Sequence, residues 1–257
     1  MLLKNGEKNY IHTQEVCGDF NGKIESNLPV KINDDDLFLS GDNMLAETNN
    51  KYLLITKNSH VINTRNKLKN GKNQQEKYDI RSEKMEVFGL QNFAEFTDKV
   101  VFTTADNIIK SKFAKAYFNN KNEITDIFLR QKVDIQNQDI HATAKYGYFD
   151  VNTNIAVLYN DVVLINQTAT LNNEIYIYNA ENRTSMSFNE SANISKAEAT
   201  KIYNVLEKLS NELDIKHKKY IQNIIKQHKK HKNKNLKDSD NVEIYRSKRA
   251  KINLYEK

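Results

Sequence analysis

The chain has 257 residues, of which 39% are hydrophobic and 28% charged, with a formal net charge of +6; that length suffices for one or two domains with a buried core. Its single cysteine, Cys17, excludes an internal disulfide and a cysteine-ligated metal site, and no apolar run is long enough for a membrane-spanning helix. The charge is uneven: residues 195–257 carry 17 Lys/Arg against 8 Asp/Glu, a net of +9, whereas residues 1–194 carry 22 against 25, a net of −3, so two parts with different work are expected.

Residues 1–30 have little periodicity and are expected to hold irregular structure or one edge strand. The start, Met1 to Gly6, has no hydrophobic signal core, so either the protein is cytoplasmic or its export signal lies outside this sequence. Val30-Lys31-Ile32 and Leu37-Phe38-Leu39 are expected strands, separated by Asp34-Asp35-Asp36, which is assigned to a solvated turn rather than a cation site. Met44 to Ile62 forms a strand–turn–strand unit with Asn49-Asn50 at its turn and Tyr52, Leu53 and Ile55 beyond. Residues 65–77 are polar apart from Leu68 and Gly71 and are expected to form a loop.

That unit recurs more clearly twice. Met85 to Phe102 and Tyr146 to Leu164 each contain a strand, an Asn-bearing turn, a second strand with Ala and a large apolar residue two apart, a short polar break (Asp98-Lys99 and Asn160-Asp161), then a Val-Val pair. Repeated units of this kind build an elongated β stack. From Tyr78 to Phe188 the period-two alternation is nearly continuous, as in Ala94/Phe96 with Val100/Phe102, Ile127/Leu129 with Val133/Ile135, and Ala156/Leu158 with Val162/Leu164; such strands turn one face inward. Turns are expected at Asp98-Lys99, Asn119-Asn120, Asn137-Gln138-Asp139, Asn152-Thr153-Asn154 and Asn172-Asn173. Asn and Asp serve where glycine is scarce because they tolerate left-handed backbone angles. The spacing predicts an all-β sandwich, barrel or open roll.

At Ser195 the period changes. Ser195-Lys196-Ala197-Glu198 is a capping-box signature. Ile202, Val205, Leu206, Leu209 and Leu213 then fall on one helical face, and Tyr220, Ile221, Ile224 and Ile225 make a second apolar stripe. Residues 216–237 hold nine Lys and no acid; one or two helices and a disordered basic tail are expected. Lys216, Lys218, Lys219, Lys226, Lys229 and Lys230 are the candidate contacts to a polyanion, either phosphate-rich glycolipid or an anionic membrane surface. Nucleic acid is disfavoured, because Tyr220 is almost the only aromatic there.

Catalytic patterns are missing. No Ser/His/Asp set, Gly-rich phosphate loop or spaced carboxylate pair stands out. His12, His60 and His141 show no zinc spacing, and His228/His231 belong to the solvated tail. The reading is non-enzymatic, with no cofactor and no metal.

Ile80 to Phe88, Asn92 to Val101, Ala116 to Ile127, Ala156 to Leu164 and Ile175 to Ser185 together resemble the LptA/OstA family of periplasmic lipopolysaccharide-transport proteins; the related LptC family shares the roll. The resemblance implies a rolled, open β-jellyroll of two antiparallel sheets, here with a helical, basic C-terminal tail. The expected divisions are an N-terminal extension with additional strands (1–77), the OstA-like jellyroll (78–190) and the helix plus basic tail (195–257). It implies a periplasmic carrier of lipopolysaccharide between the inner and outer membranes, whose lipid A acyl chains lie in an apolar groove. The expected groove residues are Phe96, Phe102, Ile127, Leu129, Ile135, Leu158, Val162 and Leu164. Expected partners are lipopolysaccharide and other Lpt jellyroll proteins through edge-strand pairing, with self-association possible in the same way. The alternative is a closed β scaffold that presents its basic tail to a polyanion, a membrane surface or nucleic acid, and holds no internal cargo.

Overall fold

The computed structural model describes residues 10–19, 22–34, 37–69, 72–105, 107–136, 141–165, 169–180, 184–187, 192–232, 241–244 and 251–254; the side chains of 10, 34, 65–74, 169, 192–196 and 227 onward lie outside that description. Two compact units emerge, residues 1–138 and 139–257. The chain is mostly antiparallel β, in an open rather than closed sheet, with two helices near its C-terminal end.

The first unit contains β1 (Tyr10–His12), β2 (Cys17–Gly18), β3 (Lys23–Ser26), β4 (Val30–Asp34), β5 (Leu37–Gly41), β6 (Asn43–Glu47), β7 (Tyr52–Lys69), β8 (Lys72–Phe88), β9 (Phe93–Thr103), β10 (Ile108–Phe118) and β11 (Ile124–Gln136). From β7 to β11 each strand pairs with the next. At β7 the ladder forks. β6 pairs the arm before Lys57, and β3 and β2 follow it; β5 pairs the arm after Asn58, and β4 and β1 follow it. Two sheet branches therefore grow from one strand.

The fork has a backbone cause. Lys57 and Asn58 both have left-handed angles (φ 59° and 53°), and the pattern recurs at Asp98/Lys99 in β9 and Gln131/Lys132 in β11. Two left-handed residues inside a strand shift its register and bend it. The facing strands slip at the same level, between Arg81 and Lys84 and between Ser111 and Phe113. A serine sits at each slip. The hydroxyl of Ser82 donates to the carbonyl of Lys84, and that of Ser111 to the carbonyl of Phe113, both at 2.9 Å. These bonds give the carbonyls beside each kink a partner in a part-buried site.

Two local expectations are corrected here. Asp98-Lys99 is a kink within β9 rather than a turn between strands, and residues 65–77 lie largely in the long β7–β8 hairpin rather than in a loop. The expected division after residue 77 falls within β8. Asn119-Asn120 is a turn as expected, whereas Asp35, Asp36 and residues 137–139 lie outside the described residues.

The second unit contains β12 (His141–Asp150), β13 (Ile155–Ile165), β14 (Ala169–Asn179), β15 (Thr184–Ser187), β16 (Ala192–Ser195), α1 (Lys196–Glu212), α2 (Ile215–Lys232), β17 (Asn241–Ile244) and β18 (Lys251–Leu254). The ladder runs β12-β13-β14, and β14 forks in turn: β15 pairs its later half and β18 its earlier half. Asn160 and Asp161 (φ 65° and 56°) form the kink in β13. Residues 152–154 turn as expected, but Asn172-Asn173 lies inside β14, paired to Val163 and Val162. α1 starts directly after Ser195, as the capping signature predicts, and packs on β12 and β13. Ile202, Val205, Leu206, Leu209 and Leu213 are all buried, as are Ile221 and Ile225 of α2.

Candidate functional site

In the first unit the strand register aligns three apolar rows. One runs Ala46–Leu53–Val87–Ala94–Ala116–Ile127, the next Met44–Ile55–Met85–Phe96–Ala114–Leu129, and the third Ile32–Leu39–Val61–Ile80–Phe102–Ile109–Ile135. All of these side chains are buried except Ile135, which is half-buried. Five of the expected groove residues, Phe96, Phe102, Ile127, Leu129 and Ile135, therefore lie in these rows.

The rows do not fill the interior completely. A partly open void of about 60 Å³ is lined by Ile32, Leu37, Leu39, Leu53, Val61, Asn63, Ile80, Met85, Val87, Ala94, Phe96, Ala116, Phe118, Asn122 and Ile124. Strands β4, β5 and β7 to β11 contribute to this one lining, so the sheet curls around it. The void exists because neighbouring positions in the first row, Ala94 and Ala116, carry only a methyl group. Leu37, Phe118 and Asn122 are partly exposed and form its rim. The volume is less than half of the roughly 150 Å³ apolar void that admits benzene. A longer chain would enter only where the walls part.

Of the expected groove residues, Phe96 alone is in the lining. Phe102 is stacked on Tyr78 at 5.8 Å, and Ile127, Leu129 and Ile135 pack elsewhere along the rows. Leu158, Val162 and Leu164 belong to β13 in the second unit, all buried. Leu158 alternates with Val157 and Tyr159 and so projects from the opposite face of β13. The Tyr159 face is covered by α2: the His217 ring packs edge-on against Tyr146 (5.6 Å) and Tyr159 (5.7 Å), and Tyr220 stacks on Tyr159 at 6.1 Å. Asp214 holds His217, with Oδ2 2.8 Å from Nδ1. Burial pushes the Tyr159 hydroxyl above its ordinary range.

Six lining residues, Ile32, Leu37, Leu39, Leu53, Val61 and Asn63, come from strands β4, β5 and β7. The alternation Leu37/Leu39 is the kind of signal that could have found the apolar ones, whereas Asn63 carried none. Asn63 is 3% exposed. Its Nδ2 donates to the carbonyl of Asn122 at 3.2 Å, while its Oδ1 is buried without a hydrogen-bond partner among the described residues. That carbonyl belongs to a left-handed turn residue. The equivalent carbonyls of Lys51 and Asn92 accept instead from the backbone N–H of Gly89 and Phe118.

The basic candidates divide by helix geometry. Lys216, Lys219 and Lys226 are exposed and share one face of α2, opposite Ile221 and Ile225. Lys218 turns back toward α1, its Nζ donating to Asn211 Oδ1 at 3.1 Å. The side chains of Lys229 and Lys230, like those of His228 and His231, lie outside the described residues.

Residues 79–184 match the family described as LptA/(LptD N-terminal domain) LPS transport protein, which bears out the resemblance to LptA/OstA over β8 to β15. Among solved structures the chain is similar to LptH of Pseudomonas aeruginosa, the LptA-homologous periplasmic component of its lipopolysaccharide transport device, with 14% identity, 43% of this chain and 80% of that chain covered, and a TM-score of 0.40. No curated protein matches the sequence significantly.

Proposed function

We propose that the chain is a non-enzymatic carrier that passes lipopolysaccharide from the inner toward the outer membrane across the periplasm, with its acyl chains held along the apolar rows of the first unit. The observation that carries this reading is the coincidence of two facts: the match to the lipopolysaccharide-transport family begins at β8, and strands β8 to β11 supply nine of the fifteen lining positions with their connecting turn. Burial of acyl methylenes contributes roughly 0.8 kcal/mol each. Spreading that affinity along rows of aliphatic side chains lets cargo move without being trapped at one contact. The small resting void is then the collapsed form of a groove whose walls separate on loading.

The outermost strands, β1, β2, β15 and β18, have two to four residues each. Strand addition there would join other roll-shaped Lpt proteins or further copies of this chain. The exposed face Lys216–Lys219–Lys226 supports a contact with the phosphates of the glycolipid or of an anionic membrane surface.

A photo-crosslinking amino acid at Phe96 or Ile80 should form adducts with lipopolysaccharide in cells, and one at exposed Lys112 should not. Absence of adducts at both inward positions, with the protein folded and exported, would remove the proposal.

A further inference from the structure

The void is apolar apart from Asn63 and Asn122, and Asn63 is the polar group that the apolar rows do not explain. It occupies the position two after Val61 on β7, where the alternation calls for an inward aliphatic residue, and it is 3% exposed. Its amide orientation is fixed, because Nδ2 faces the carbonyl oxygen of Asn122 at 3.2 Å and a flip would set two acceptors against each other. Oδ1 is thereby left as a buried acceptor on a residue that lines the void, with no hydrogen-bond partner among the described residues. The nearest cross-strand aromatic does not supply one: Tyr78, paired to Asn63 in the ladder, turns its hydroxyl to Glu76 at 2.9 Å. A buried acceptor without a donor is costly, and that cost is recovered when the incoming molecule brings the donor.

We propose that Asn63 is a specificity residue that reads a hydroxyl group on the acyl chain entering the void, with the chain O–H donating to Asn63 Oδ1 and the flanking methylenes packing on Phe96, Met85 and Leu39. This rests on the carrier reading and adds to it a preference among chains. A plain chain of equal length fills the same apolar space but leaves Oδ1 unpaired. One hydrogen bond made in a buried site corresponds to about a tenfold preference for the hydroxylated chain. Asn63 also ties the β10–β11 turn to β7, so the residue that reads the cargo holds one side of the rim.

The test measures binding of a matched pair, a 3-hydroxy fatty acid and the unsubstituted acid of equal length, to the full chain and to Asn63→Leu. A roughly tenfold preference in the unaltered protein, lost in Asn63→Leu through weaker binding of the hydroxylated acid alone, supports the proposal. Equal affinity for the two acids overturns it and leaves the carrier reading standing. A preference that survives in Asn63→Leu also overturns it. Binding of neither acid, nor of lipopolysaccharide, counts against both. Should Asn63→Leu fail to fold, the Asn63 side-chain amide signals in the ¹⁵N-labelled protein decide: they shift with the hydroxylated acid more than with the plain acid, and equal shifts overturn the proposal.

Discussion

Asn58 Nδ2 donates to Asp42 Oδ2 at 2.8 Å, and the N–H of Asp42 donates to the carbonyl of Lys57 at 3.1 Å. The kink in β7 is thus tied to the corner at which β5 gives way to β6, the point where one ladder becomes two branches. Gly41 occupies that corner. A Cβ there would lie 2.1 Å from Ile55 Cγ2 and 3.2 Å from the Lys57 carbonyl oxygen. Ile55 is fully buried and β-branched, so it has little room to turn away. Gly41→Ala should destabilise the protein by about 2–3 kcal/mol, measured by urea unfolding. A variant as stable as the parent would mean that the branches do not meet there.

The kinks themselves predict an unusual sign. Gln131 and Lys132 hold φ of 65° and 55° and are exposed, so substitution touches backbone preference more than packing. Lys132→Gly should leave stability unchanged or raise it by up to about 1 kcal/mol. Lys132→Val should lower it by about 1–2 kcal/mol, because a β-branched residue is poorly accommodated in left-handed backbone. Thermal unfolding of the pair checks the order, and a more stable Val variant would contradict the kink geometry.

How far the sequence foretold this structure depends on which residues are considered. The inward rows were legible because alternation survives the kinks: two left-handed residues separate Phe96 from Val100 and Phe102, and all three remain buried. Asp98-Lys99 and Asn160-Asp161 were visible as polar breaks, but a polar pair marks a turn and a kink equally well. Only the pairing of both flanks to the same neighbour distinguishes them. Gln131-Lys132 gave no signal, since neither residue favours left-handed angles. Phe96 was legible as a lining residue. Asn63 was not, because a lone polar residue in a strand is ordinary until its depth is known. Leu158 shares the spacing of Phe96 yet lies in a different unit, on the face opposite Tyr159; periodicity alone cannot say which surface a neighbouring helix will cover.

Asp150 links β12 to α1 and should make that link pH-dependent. Its carboxylate is 4% exposed; Oδ2 accepts from Lys208 Nζ at 2.7 Å, and Oδ1 from the N–H of Thr153 at 2.9 Å. Burial acts to raise its pKa, but the Lys208 ammonium and the Thr153 N–H outweigh it and hold the carboxyl below its ordinary value. A group depressed in the folded state contributes stability above its unfolded pKa of about 3.9 and loses it as pH falls through the folded value. Asp150→Asn should therefore be less stable than the parent at neutral pH, with the gap narrowing below about pH 4. Lys208→Met should cost about 1–3 kcal/mol at pH 7, a moderate figure because the ammonium is 41% exposed. A gap that stays constant from pH 7 to pH 3 would rule out the charge pairing as its source.

Lys216, Lys219 and Lys226 should act together at an anionic surface. Each lysine near such a surface contributes about 1 kcal/mol. Replacing all three by Ala should weaken binding to phosphatidylglycerol vesicles by about two orders of magnitude at low salt and far less at high salt. Lys218→Ala should have a smaller effect than any of the three, since its ammonium is turned to Asn211. Vesicle co-sedimentation across a salt series provides the measurement; equal effects from all four lysines would indicate diffuse attraction rather than one helix face.

The alanines beside the void separate its packing role from its carrying role. Ala94 and Ala116 are paired across β9 and β10, buried to 6% and 3% exposure, and both line the space. Each additional methyl group placed there removes empty volume and gains contact, so Ala116→Val should hold stability within about 1 kcal/mol of the parent or raise it. The same change should reduce lipid uptake, because the walls then begin from a filled interior and must separate further before a chain can enter. Calorimetric stability and fluorescent fatty-acid uptake, measured on the same preparation, should move in opposite directions. Loss of both would show only that Val overfills the site. Retention of full uptake in a stable Ala116→Val protein would show that cargo does not pass through this void.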